Sequence, residues 1–261
     1  MVALASELRP DSSVVAEVKP SPNHNDRKDG IKPDMILLHY TGMRDNEAAV
    51  RQLCTPAGEV SAHYVVLQDG RIIQLVAESR RAWHAGVSFW GGQTDINSCS
   101  IGIEIANPGH DHGYPDFPKR QIAALIILCR TIFMRHQIAA HRVLAHSDVA
   151  PARKQDPGEK FPWRVLADSG VGLWVKPVPI TAGAISVLGE SSPMVEETQA
   201  LLASYGYGVT PTGYLDSNTR DAVAAFQRHF RPAKVDGVVD LSTLGTLKAL
   251  LAARQARLAS S

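Results

Sequence analysis

The stretch KPVPITAGAISVLGESSP, residues 176–193, divides this chain into two parts of different character. It is rich in proline, glycine and serine and lacks helical or strand periodicity over most of its length. Such a composition predicts a linker with at most one short extended piece. The expected organisation is therefore a domain over 1–177, a linker over 178–193 and a small helical domain over 194–256, within 261 residues.

Before the linker, strand and helix patterns mix. Met35-Ile-Leu-Leu38 is a short apolar run, as in a strand buried on both faces, and it ends at His39. Ala62 to Leu67 and Arg71 to Val76 flank Gln68-Asp69-Gly70, a hairpin signal. Ser100 to Ile105, SIGIEI, alternates its faces, and Gln121 to His136 reads as a long helix that is largely buried. The fold class expected is α/β, with a mixed central sheet flanked by helices.

After the linker, Val195 to Ala203 and Thr219 to Phe230 carry apolar residues at three- and four-residue spacing. A short pattern, G-x-(L/V)-D-x-x-T, occurs at Gly213 to Thr219 and again at Gly237 to Thr243. In each copy the Asp can cap a helix and the Gly permits the turn before it. A small bundle of three helices is expected, and the pattern is equally that of two helix starts.

The bulk numbers exclude several classes. A formal net charge of +1 favours neither nucleic acid nor an anionic membrane. No apolar run approaches the ~20 residues of a membrane span. Cys54, Cys99 and Cys129 are too few and scattered for a disulfide framework, so free thiols are expected. The start, MVALASELRPDSSVV, has no basic segment followed by a long apolar core. The expected location is cytoplasmic, with the periplasm or cell envelope as the alternative.

The chemistry-bearing stretch is LAHSDVAPARKQDPG, residues 144–158. His146 and Asp156 lie on a loop stiffened by Pro151 and Pro157, and both can converge on one point. His39, at the end of a buried strand, needs a partner. Two His and a carboxylate form the ligand set of a catalytic zinc, with a fourth position open. The spacing is no local motif, and the same residues also read as three separately satisfied polar groups.

Four blocks decide between these readings. ILLHYTG (36–42), RAWHAG (81–86), SIGIEI (100–105) and AHSDVAPARKQDPG (145–158), in this order, resemble the zinc-dependent N-acetylmuramoyl-L-alanine amidases. That family includes phage amidase-type lysozymes and peptidoglycan recognition proteins. The resemblance implies a zinc site in a groove at one edge of the sheet. It implies one Zn2+ held by His39, His146 and Asp156, with Glu104 and Lys154 as catalytic residues. Trp83, His84, Asn97 and Arg153 are implied as substrate contacts. Ala152 stands where relatives often carry Gly, which touches only the local backbone and the substrate fit beside it.

The implied roles agree with the chemistry of amide hydrolysis. Zinc lowers the pKa of bound water to about 7. Glu104 takes the water's proton and passes it to the leaving nitrogen, and zinc with Lys154 stabilises the oxyanion. The C-terminal part resembles the three-helix peptidoglycan-binding domain of wall hydrolases, most specifically at 219–227, with Pro-Thr-Gly where Asp-Gly is usual. The implied substrate is peptidoglycan or an anhydro-muropeptide. The rivals are a non-catalytic peptidoglycan-recognition protein and an amidase cutting elsewhere in the stem peptide.

Overall fold

The computed structural model describes residues 8–259, so residues 1–7 of the stretch read for a secretory signal lie outside it. In chain order the elements are β1 (Glu17–Val18), β2 (His24–Asp26), β3 (Met35–Tyr40), α1 (Asn46–Cys54), β4 (Tyr64–Val66), β5 (Ile72–Gln74) and β6 (Arg80–Ala82). They continue with α2 (Ile96–Cys99), β7 (Ser100–Ile105), α3 (Lys119–Arg135), β8 (Val143–Ala145), α4 (His146–Val149) and α5 (Trp163–Asp168). The last are β9 (Ile185–Ser186), α6 (Pro193–Tyr205), α7 (Ser217–Phe230), β10 (Val239–Asp240) and α8 (Leu241–Ala259). Among the described residues no helix is long and apolar enough to cross a membrane.

The chain forms two compact units that do not follow its order. One holds the described residues up to Gly86 together with Asn97–Ile138; the other holds Val87–Ile96 and the chain from Ala139 onward.

In the first unit the sheet strands run β1-β5-β4-β7-β3. β3, β7 and β4 are parallel neighbours, and β4 pairs antiparallel with β5, so the sheet is mixed. Met35 to Leu38 are 0% exposed, which is why this strand reads as a continuous apolar run rather than an alternating one. The expected hairpin forms, with Tyr64 opposite Gln74. Helix α3 buries Ile122, Leu125, Leu128 and Ile132. Its buried Gln121 donates through Nε2 to the carbonyls of Val66 and Ala106, tying the helix to the ends of β4 and β7.

Two buried charges stitch the periphery of this unit. Arg27 donates to the carbonyls of Glu78, Asn97, Ser98 and Ser100. The Glu78 carboxylate accepts from Tyr64, Arg135 and His136. Burial alone would raise its pKa, but these three donors together hold it at about 2. Cys54, Cys99 and Cys129 are free, as expected.

In the second unit, α6, α7 and α8 form the expected helical bundle. Asp216 accepts from the Thr219 N–H at 2.7 Å, and Asp240 accepts from the Thr243 N–H at 2.6 Å, so both copies of the short pattern are helix caps. The repeat extends further than the sequence pattern. Gln199 accepts from the N–H groups of Thr212 and Gly213 and donates to Thr219; Gln227 accepts from Asp236 and Gly237 and donates to Thr243. The stretch 178–193 is stitched to this bundle. β9 pairs with β10, the Val178 N–H donates to Thr246, and its carbonyl accepts from Ser242.

Candidate active site

His39 and Glu104 stand on the parallel strands β3 and β7 as direct register partners. Alternation along a strand therefore sends both side chains out of the same face of the sheet. His39 is buried, and its Nε2 lies 3.1 Å from Nδ1 of His84. With His39 donating there, His84 offers its own Nε2–H to Ser100 Oγ at 3.4 Å.

The His84 ring lies across Gly102, where an added Cβ would overlap it. Glycine at this strand position is thus a requirement of the ring behind His39. Asn97 accepts through Oδ1 from the N–H groups of His84 and Ala85, at 3.0 and 2.8 Å, and so fixes the RAWHAG turn. Trp83 is half-buried and donates from its indole to Asn25. Of the expected substrate contacts, then, His84 and Asn97 are buried and occupied in holding the turn and the ring beside His39.

His63, next to strand β4, is fully buried. Its Nδ1 accepts from the Gly102 N–H, and its Nε2 lies 3.0 Å from the Arg80 carbonyl. Burial first, then the Arg27 charge, lowers its pKa to about 3, so it is neutral. His110 sits in a 3-10 turn, hydrogen bonded to Tyr40 and stacked on Tyr114.

On the other unit His146 opens the short helix α4, and its Nδ1 lies 3.0 Å from Oδ2 of Asp156. The Ser147 N–H donates to the Asp156 carbonyl at 3.0 Å, so backbone as well as side chain brings this loop back on itself. Lys154 is half-buried at the end of the turn, its N–H bonded to the Ala150 carbonyl. Arg153 is exposed and donates to the Val87 carbonyl. The candidate ligand atoms of His39, His146 and Asp156 lie within 4.8 Å of one another, and all three residues are buried. Two imidazoles and one carboxylate are a donor set that can hold a metal ion.

A buried cluster around Asp148 lies outside the residues singled out in the sequence. Asp148 is buried; its Oδ1 accepts from the Tyr207 hydroxyl at 2.6 Å, and its Oδ2 pairs with Nδ1 of His229 at 2.7 Å. Burial, then the Asp148 charge, pushes the Tyr207 pKa well above 10, so its hydroxyl stays a donor. The only local signal was an acid two residues after His146 in a stretch that turns out to be buried.

A profile for N-acetylmuramoyl-L-alanine amidase matches residues 29–159, and one for a peptidoglycan binding domain matches 191–247. N-acetylmuramoyl-L-alanine amidase AmiD of Escherichia coli is 38% identical over 233 residues, covering 83% of this chain and 82% of AmiD. The 1,6-anhydro-N-acetylmuramyl-L-alanine amidase AmpD of Salmonella typhimurium is 34% identical, covering 60% of this chain and 91% of AmpD. Among solved structures, E. coli AmiD in complex with anhydro-N-acetylmuramic acid-L-Ala-D-gamma-Glu-L-Lys superposes with TM-score 0.71 at 34% identity, covering 95% of this chain and 94% of that one. AmpDh3 of Pseudomonas aeruginosa superposes equally well, at 0.71 and 30% identity, covering 96% and 98%. The chain belongs to the N-acetylmuramoyl-L-alanine amidase family.

Proposed function

We propose that this amidase is a zinc enzyme in which His39, His146 and Asp156 hold one Zn2+, and that it hydrolyses the amide between N-acetylmuramic acid and L-alanine of the stem peptide in anhydro-muropeptides or peptidoglycan. The observation that carries the reading is the convergence of three buried ligand atoms, two nitrogens and an oxygen, within 4.8 Å. Around a tetrahedral zinc, ligand atoms at ~2.0–2.2 Å from the ion stand roughly 3–4 Å apart, so the residues present fit it. Zinc when bound supplies Lewis acidity, which acidifies water and polarises a carbonyl.

The remaining steps fall to side chains. Glu104, on the same face of the sheet as His39, takes the proton of the attacking water and returns it to the departing alanine nitrogen. Lys154 offers an ammonium to the oxygen on which negative charge develops, a contribution of about 10²–10³ in rate for one such donor. His84 orients His39 by engaging its Nε2. Trp83 and Arg153 are the side chains proposed to meet sugar and peptide carboxylate, Arg being suited to bidentate carboxylate recognition. The helical domain over 194–256 would tether the enzyme to glycan and raise the local substrate concentration.

The test is mass spectrometry of products after incubating the zinc-loaded protein with a soluble anhydro-muropeptide and, separately, with intact sacculi. Stem peptide with a free L-alanine amine is the expected product. Release from the soluble substrate alone fits recycling in the cytoplasm; release from sacculi fits work in the envelope. Zinc bound with no release from either would sink the catalytic reading in favour of a recognition protein.

A further inference from the structure

We propose that Tyr207 and His229 of the helical domain are positioning residues for the zinc ligand His146, acting through the buried carboxylate of Asp148. This rests on the reading of His146 as a ligand. It adds that the helical domain, beyond any tethering, fixes the turn that carries His146.

The argument starts at the turn that carries His146. Helix α4 has only four residues, and its N-cap, Ala145, has no side chain able to cap. An uncapped single turn does not hold itself, because nucleation fixes many dihedrals for few hydrogen bonds. The cap comes instead from within the turn: Asp148 Oδ2 accepts from the Ala145 N–H at 2.8 Å. This closes a loop of backbone around His146. Any movement of the Asp148 carboxylate is therefore movement of the turn.

That carboxylate is gripped from the helical domain. Tyr207, just after α6, donates to Oδ1 at 2.6 Å, and His229, near the end of α7, donates from Nδ1 to Oδ2 at 2.7 Å. The side chains of Asp148 and His229 are 0% and 1% exposed. Three donors on a fully buried carboxylate form a closed network in a medium where such bonds are strong and where losing one is costly. The His229 ring is itself clamped, stacked between Trp163 at 3.6 Å and Phe230 at 3.8 Å between centroids. It has no freedom to follow a wandering carboxylate.

A second set of contacts holds the other side of the turn. The Phe89 N–H donates to the Val149 carbonyl at 2.8 Å, and the Gly91 N–H donates to the Gly206 carbonyl at 2.8 Å. Between them Trp90 packs edge-on against Tyr205 and Tyr207. An added Cβ at Gly206 would run into the Trp90 indole, so this close approach requires glycine. The segment 87–91 thus ties the C-terminal end of α4 to the end of α6, next to Tyr207.

The test uses the full chain. Tyr207→Phe removes one donor with its ring left in place, His229→Ala removes the other, and His229→Asn restores a donor near Nδ1. Leu251→Ala, in the core of α8, serves as a control that loosens the helical domain elsewhere. For each, zinc affinity is measured by chelator competition, kcat and KM with a soluble anhydro-muropeptide, and Tm with and without zinc. Tyr207→Phe and His229→Ala are expected to weaken zinc binding by about 10–100-fold and to lower kcat with KM unchanged, since neither residue is placed against substrate. His229→Asn should recover most of the zinc affinity, and Leu251→Ala should lower Tm without changing it. If Tyr207→Phe and His229→Ala lower Tm as Leu251→Ala does and leave zinc affinity and kcat intact, the positioning role is overturned. If the unaltered protein binds no zinc, the ligand assignment falls first, and the positioning role with it.

Discussion

His39 and Glu104 are paired in register across β3 and β7, one strand apart on the same face of a parallel sheet. Their separation is set by the hydrogen-bond ladder of two buried strands and not by a loop, so the geometry between the proposed ligand and the proposed base is rigid. Glu104→Gln keeps the shape and removes the proposed base. It is expected to cut kcat by about 10²–10⁴-fold while zinc stoichiometry stays at one per chain, read by product release and metal analysis. Full activity in Glu104→Gln would remove the base from Glu104.

Metal removal should act on stability as well as on rate. A chelator is expected to abolish hydrolysis, and Tm should rise with added Zn2+ by mass action. The stabilisation is roughly 4 kcal/mol when free Zn2+ is about 1,000 times its Kd. His146→Ala should lose both effects, because it removes one of the three proposed ligands. A Tm indifferent to zinc in the unaltered protein would contradict the site.

Gly102→Ala tests the ring behind His39. Its Cβ would overlap His84, which lies against the strand and hydrogen bonds to His39. Overpacking in a core costs typically 1–3 kcal/mol, and here the strain falls on the partner of a proposed ligand. The expected outcome is a lower urea midpoint together with weaker zinc binding. A drop in stability with zinc affinity unchanged would mean that His84 does not orient His39.

His63 sets a pH dependence of stability. Its folded pKa is about 3, lowered by burial and then by Arg27, against an ordinary value of 6.5. The unfolded chain thus binds the extra proton first as pH falls. Stability is full above about pH 6.5 and declines toward pH 3, at about 1.4 kcal/mol per pH unit from this group. Urea midpoints between pH 7.5 and 4.5 should fall for the unaltered protein and fall less steeply for His63→Asn. Equal slopes would show that His63 is not the group responsible.

Gln227→Leu should show what the hidden repeat of the helical domain is worth. The buried amide satisfies the N–H groups of Asp236 and Gly237, and leucine would leave both unpaired. A buried orphan donor costs about 1–3 kcal/mol, so a loss of roughly 2–4 kcal/mol is expected in urea unfolding. A change under 1 kcal/mol would mean that water replaces the amide.

The strands that carry His39 and Glu104, the hairpin at Gly70, helix α3, and the caps at Asp216 and Asp240 were all legible in the sequence. Each is governed by local periodicity or by a capping residue within three positions of its partner. The proposed metal ligands were legible only through the family resemblance, because His39 and His146 are 107 positions apart and no local spacing joins them. The roles of Asp148, Tyr207 and His229 were not legible. Tyr207 and His229 lie 59 and 81 residues from the carboxylate they hold, and a polar residue type names no partner over such a distance. The same holds for His84, whose sequence block pointed toward substrate while its ring was turned inward to His39 by the space over Gly102. The sequence by itself determined the two kinds of architecture and the residues with the right chemistry, since periodicity and side-chain type are local properties. Only the tertiary structure decided which of those residues meet, because burial leaves each polar group needing a partner and chain topology decides which partner is within reach.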